Sequence, residues 1–171
     1  MPTEQQLLQV EQQLGRKPRG IVRVAAEGHN HAPLVLQMRS LIDDQPFPTL
    51  YWLSSKTLCK AIGTIETQGW VKTIEQRLAT DKTLRDHYLQ DQKAYIEKRW
   101  QQMDNQDKQR IDQLGFSDLF SRYGIGGITQ WDKVRCLHMQ YAHHLVDGNV
   151  IGALMDETFE LSHLLKQDHL F

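Results

Sequence analysis

The chain has 171 residues, 40% of them hydrophobic and 24% charged, with a formal net charge of -1. That is ordinary composition for one globular domain, and the near-neutral balance excludes a global electrostatic drive toward nucleic acid or an anionic membrane. No apolar run approaches the roughly 18 residues of a membrane span, and no basic-then-apolar leader opens the chain. The expectation is a cytoplasmic protein with no nucleic-acid or membrane partner. Its two cysteines, Cys59 and Cys136, match no metal-ribbon spacing and are expected as reduced thiols.

Taken in order, Thr3 and Gln6 fit a capping box. Leu7, Val10 and Leu14 repeat at helical spacing, and Gly15 stands where a helix over 3–14 should end. A basic turn, Arg16-Lys-Pro-Arg-Gly20, follows. Residues 21–27 and 33–39 read as strands joined by a hairpin-like turn, Gly28-His-Asn-His-Ala32. Two prolines, Pro46 and Pro48, mark a second turn after Asp43-Asp44, and residues 49–53 supply a third strand rich in β-branched and aromatic side chains. A small antiparallel sheet over about 21–53 therefore needs a cover.

The remainder, about 55–168, reads as helical. Ser55 is a plausible N-cap, with Leu58, Ile62 and Ile65 as a buried stripe and Gly69 as a stop. A short helix spans 70–79. Residues 81–114 form a long polar helical stretch anchored by Leu84, Tyr88, Tyr95, Trp100 and Met103, with a break near Asp104-Asn105. A last helix is expected over 150–166. The fold class is α+β: a small N-terminal sheet of about three strands packed on a predominantly helical remainder.

The chemistry-bearing residues concentrate in one stretch. A glycine-rich turn, Gly124-Ile-Gly-Gly127, feeds a segment carrying Cys136, His138, His143 and His144. Thr129 and Asp132 make a capping pair, so a helix is expected over 130–147, buried on two sides. On one such helix Cys136 and His143 would lie roughly 10.5 Å apart along the axis, too far to share one ion. A metal site would then need outside ligands such as His29 or His31, and the expectation is no metal and no cofactor. A nucleophilic Cys136 would lie beyond the first turn, with no histidine three or four residues away. His138 and His143 remain acid/base candidates. The glycine turn suits an anion better: backbone N–H groups at Gly126, Gly127 and Thr129 can approach a phosphate or carboxylate, with Lys133 and Arg135 supplying charge. Lys133, nearer the expected helix start, is the preferred cation, although the turn matches neither a Walker loop nor a dinucleotide fingerprint.

Several blocks resemble one bacterial family. They are Gln13-Leu-Gly-Arg-Lys-Pro-Arg-Gly20, Pro46-Phe-Pro-Thr-Leu-Tyr51, Gly126-Gly127, and Lys133-Val-Arg-Cys-Leu-His138 continuing to Ala142-His143. Together they are similar to the DUF501 family of unknown function, and the resemblance covers most of the chain. It implies a cytosolic bacterial protein and brings no established activity. Relative to the family pattern, Gly28-His29 stands where a Cys-Pro pair is expected, and Ser54-Ser55-Lys56 stands for a Thr-His-Pro-like run. The segment Asn149-Val-Ile-Gly152-Ala153-Leu154 retains only part of an Asn-Pro-x-Gly-Asp-Glu motif.

Two functions remain open at this level, and the first is preferred because no convergent acid–base pair or nucleophile with its base can be named. One is a binding or regulatory module whose polar helix meets a protein partner. The other is a small enzyme or ligand binder for an anionic substrate at the glycine turn and the Cys/His segment. A pocket at Gly126-Gly127, lined by His29, Arg135 and His138, would favour the second; a filled core would favour the first.

Overall fold

The computed structural model describes residues 1–166; the final positions of the helical stretch expected to reach about 168 lie outside the described residues. The capping box forms as expected. Thr3 accepts the Gln6 amide and the Gln6 side chain accepts the Thr3 amide, opening α1 (Glu4–Leu14), which Gly15 closes at φ 71°.

β1 (Ile21–Glu27) and β2 (Pro33–Met38) pair antiparallel, and β5 (Tyr51–Leu53) joins the other edge of β2, giving the order β1-β2-β5. Every residue of β2 is buried, as a central strand covered on both faces requires. Between β2 and β5 lies a minimal hairpin that the proline-rich turn concealed: β3 (Leu41–Ile42) pairs with β4 (Gln45–Pro46) around Asp43-Asp44, both at positive φ. The ladder is short enough for Pro46 to occupy it as an edge residue.

The helical part begins as expected. Ser55 accepts the Leu58 amide and opens α2 (Lys56–Thr67), and Gly69, left-handed at φ 86°, turns the chain into α3 (Trp70–Thr80). Asp81 caps α4 (Lys82–Gln102) and Asp104 caps α5 (Asn105–Leu114), so the long polar stretch is broken at the expected place. α6 (Ser117–Arg122) is an addition. The buried stripe of α4 is Leu84, Tyr88, Gln92, Tyr95 and Arg99. Trp100, expected as an anchor, is exposed, and the Lys108 ammonium lies 5.6 Å from its ring centre. Polar residues thus occupy core positions that hydrophobicity alone would assign elsewhere.

Arg99 shows why. It is 1% exposed; it donates to the carbonyls of Pro48, Phe120 and Tyr123 at 2.7, 2.5 and 2.8 Å, and packs against the rings of Tyr95 and Phe120. One guanidinium thereby ties the sheet side of the molecule to the α6 turn. The long polar stretch packs along this one buried stripe, and the stripe acts as a central buttress.

The largest correction concerns the central helix. It runs as α7 from Leu137 to Asp147 and does not begin at residue 130. Residues 128–136 form no helix. Three tertiary hydrogen bonds bracket or hold this segment open: Tyr88 Oη donates to the Lys133 carbonyl at 2.6 Å, Trp131 Nε1 to the Arg122 carbonyl at 2.7 Å, and the Ile125 amide to Gln92 Oε1 at 2.7 Å. These outweigh the weak local capping preference of Thr129 and Asp132, worth about 1 kcal/mol. α7 is central as expected, packing on α2, α8 and β5.

α8 (Val150–Phe159) is capped by Asn149, whose Oδ1 accepts the Gly152 amide at 2.6 Å. It is shorter than expected: Glu160 turns left-handed at φ 52°, and residues Leu161–Lys166 continue as a 3-10 helix. Asn149 and Gly152 are structural: Asn149 caps α8, and a Cβ on Gly152 would lie 2.1 Å from the His144 Cβ.

Candidate functional site

A cleft of about 370 Å³ opens beside the glycine turn, lined by Tyr123, Gly126, Gly127, Ile128, Thr129, Gln130, Lys133, Arg135 and Cys136. All five residues proposed from sequence for the anion site, Gly126, Gly127, Thr129, Lys133 and Arg135, thus meet in one place. Its volume lies within the range of small-ligand sites.

The turn does not work as a phosphate loop at a helix start. The Gly127 amide donates to the Gly124 carbonyl, the Gly124 amide to the Ile128 carbonyl, and no helix starts at Thr129. Gly126 serves close approach instead. It sits at φ 78°, and a Cβ there would lie 2.2 Å from the Arg135 carbonyl oxygen. Glycine is what lets the turn press on the Arg135–Cys136 peptide. Gly126→Ala should therefore destabilise the fold by about 2 kcal/mol through combined clash and left-handed strain. Urea denaturation measures this, and a change within about 0.5 kcal/mol would show the turn to be compliant.

The two cations differ. Lys133 lies 3.5 Å from Glu75, whereas Arg135 is exposed and has no ion-pair partner among the described residues. The preference for Lys133 rested on its nearness to a helix start near Thr129, and α7 begins only at Leu137. Arg135 is the cation with its charge uncommitted.

Cys136 also changes character. It is the residue before α7, with φ 27° and ψ 109°, and it is half-buried at the wall of the cleft. That backbone region is rare for a residue with a Cβ. The kink brings Sγ to 3.7 Å from Nδ1 of His138, only two residues on. The reasoning that separated Cys136 from every histidine assumed a continuous helix, and that assumption fails here. His138 Nδ1 also meets Glu66 Oε1 from α2 at 2.6 Å, while Nε2 lies 3.0 Å from the Cys59 carbonyl. Burial pushes the Cys136 thiol up, but the His138 ring and the Met139 backbone outweigh it and hold it below its ordinary value. The hydrogen bond with Cys136 in turn raises His138, with the Cys59 carbonyl helping against desolvation.

The remaining histidines lie elsewhere. His143 is 3% exposed, stacked on Tyr51 and edge-on to Tyr95. Asn149 Nδ2 donates to its Nδ1 at 3.0 Å, so the proton is on Nε2. It is a core residue, outside the cleft. His144 accepts the Asn149 amide and donates to Asp156. His29 and His31 remain exposed on the β1–β2 turn, with His31 paired to Glu27 at 2.7 Å, and neither lines the cleft nor joins the Cys136 cluster.

Glu66 is the residue that sequence reasoning missed. It follows the buried Ile65 on α2 and shares a helix face with Cys59, the two being two turns apart. No local pattern links α2 to residue 138, so only the tertiary fold reveals it.

A family model described as a protein of unknown function, DUF501, matches residues 24–157. No curated protein matches the chain, and no solved structure does. No helix among the described residues is long and apolar enough to cross a membrane.

Proposed function

The chain belongs to the DUF501 family, whose description assigns no activity, and from its cleft we propose that it binds a small anionic ligand, bearing phosphate or carboxylate, beside Arg135 and the glycine turn. One observation carries this reading: an open cleft brings the exposed Arg135 guanidinium together with the Gly126-Gly127 backbone and the Cys136 wall. A guanidinium offers a planar set of donors suited to a phosphate or carboxylate. A small enzyme or ligand binder accounts for this better than a protein-docking module. The module reading needs the exposed face of the polar helix and the turn surfaces to meet a partner, and no feature of that face points to one; the stripe of α4 that includes Tyr88, Gln92 and Arg99 is spent on the protein's own core. Reduced Cys59 and Cys136, neither held in a disulfide, fit the cytoplasm of a bacterium.

Phosphate or sulfate, compared with chloride at matched ionic strength, should raise the melting temperature. At ten times its dissociation constant a bound ligand stabilises by about 1.4 kcal/mol, or about 3–5 °C for a domain of this size. The rise should largely vanish in Arg135→Ala and shrink less in Lys133→Ala. Equal stabilisation of wild type and Arg135→Ala by either anion would overturn the assignment. Gly127 is a weaker probe, because a Cβ there meets nothing within 4 Å and its φ of 73° strains any replacement by itself.

A further inference from the structure

We propose that Glu66, Cys136 and His138 form a three-ligand site for a thiophilic divalent cation such as Zn²⁺, with its fourth position facing the cleft. This goes beyond anion binding and stands or falls separately from it.

One ligand atom from each of the three residues lies within 4.8 Å of the other two. A carbonyl oxygen can only accept, so the 3.0 Å contact from Nε2 to the Cys59 carbonyl fixes the ring proton on Nε2. In the neutral ring, Nδ1 then presents its lone pair. That lone pair faces the Glu66 carboxylate at 2.6 Å and the Cys136 sulfur at 3.7 Å. Three such atoms aimed at one another call for a shared positive charge, which either a proton on Nδ1 or a metal ion can supply. The backbone carbonyl on the far nitrogen is the usual orienting partner of a metal-bound imidazole.

The two distances from the ring nitrogen suit zinc with one adjustment. Tetrahedral zinc with its ordinary bond lengths places nitrogen and sulfur ligands about 3.5 Å apart, and nitrogen and oxygen ligands about 3.3 Å apart. The sulfur already fits. The carboxylate must retreat by about 0.7 Å to reach that separation, and the Glu66 side chain, 30% exposed on α2, has the freedom to do so. A thiolate with an imidazole and a carboxylate favours Zn²⁺ over Mg²⁺ or Ca²⁺. Three protein ligands leave one position open. Cys136 alone of the three lines the cleft, so the open position is assigned to its side, where an anion held by Arg135 would arrive. Binding displaces the thiol proton to solvent and changes no oxidation state.

The test uses full-length protein stripped with chelator and titrated with Co²⁺, read by its thiolate-to-cobalt charge-transfer absorption. Wild type should develop the band with an endpoint of about one ion per chain and lose it to competing Zn²⁺. Cys136→Ser should abolish the band. Glu66→Gln lies on an accessible helix face and keeps a folding readout by circular dichroism; it should weaken Zn²⁺ binding at least about tenfold. No band in wild type, a band unchanged in Cys136→Ser, or full affinity in Glu66→Gln would each overturn the site and leave a proton in the cation's place. Repeating the phosphate melting shift on chelator-treated protein separates the two proposals: a shift that persists without metal, while cobalt gives no band, removes the metal site and keeps the anion site.

Discussion

Replacing Arg99 by methionine is expected to lower the unfolding free energy by about 4 kcal/mol. The methionine fills similar apolar volume, so the loss comes from the orphaned carbonyls of Pro48, Phe120 and Tyr123. Burial alone disfavours the cation and lowers its pKa, and the Tyr95 ring offsets this only in part. The guanidinium is retained there because its fork meets three acceptors at once. Lysine brings the charge and not the fork, so Arg99→Lys should recover only a minor share of the loss. Chemical denaturation at neutral pH measures both variants. A loss below about 1 kcal/mol for Arg99→Met would mean that water replaces the guanidinium without difficulty, and the buttress role of α4 would be wrong.

Acidification gives the second large effect. Burial holds His143 neutral, with its pKa lowered to about 4; the Asp147 carboxylate opposes this, while Lys98 and His144 add to it. The unfolded chain protonates the same ring near the usual 6.5. Between those two values the unfolded state binds more protons, so stability is fully present above about pH 6.5 and is lost as the pH falls toward 4. The window is worth about 3 kcal/mol. Protonation also ends the Asn149 hydrogen bond, because Nδ1 can no longer accept. Carboxylates titrate in the same range, so the informative quantity is a difference. His143→Phe preserves the stacking on Tyr51 and removes the titration; it should begin less stable at pH 7 and lose about 3 kcal/mol less than wild type by pH 4. Parallel stability curves for the two proteins would show that His143 does not carry the acid sensitivity.

Both residues mark the boundary of what can be read from the chain alone. Local chemistry was legible wherever a cap or a glycine acts on its own neighbours. Thr3, Ser55 and Asp104 each accept the amide three residues on, and Gly15 and Gly69 turn left-handed where they were expected to. The α+β class and the three-stranded sheet followed from the same kind of signal. What failed was the assumption that periodic residues in a row share one helix. Val134, Leu137 and Tyr141 are all fully buried, yet only the last two are helical, because Tyr88 and Gln92 reach in from α4 and hold the intervening segment open. The residues put forward for an anion lie together in one cleft because a glycine turn and nearby cations are sequence-local. The Cys136–His138–Glu66 cluster was not legible, since it requires a broken helix and a side chain from 70 residues earlier.

The way α4 holds the cleft has a consequence for how family members can diverge. Tyr88, Gln92 and Arg99 grip their partners through main-chain atoms: the carbonyls of Lys133, Phe120 and Tyr123, and the amide of Ile125. Backbone groups are the same whatever side chain they carry. The exposed side chains at 129, 130, 133 and 135 can therefore be exchanged without loosening the frame that presents them. If the cleft binds the proposed anion, point substitution at these positions can change which anion it prefers while the cleft keeps its shape.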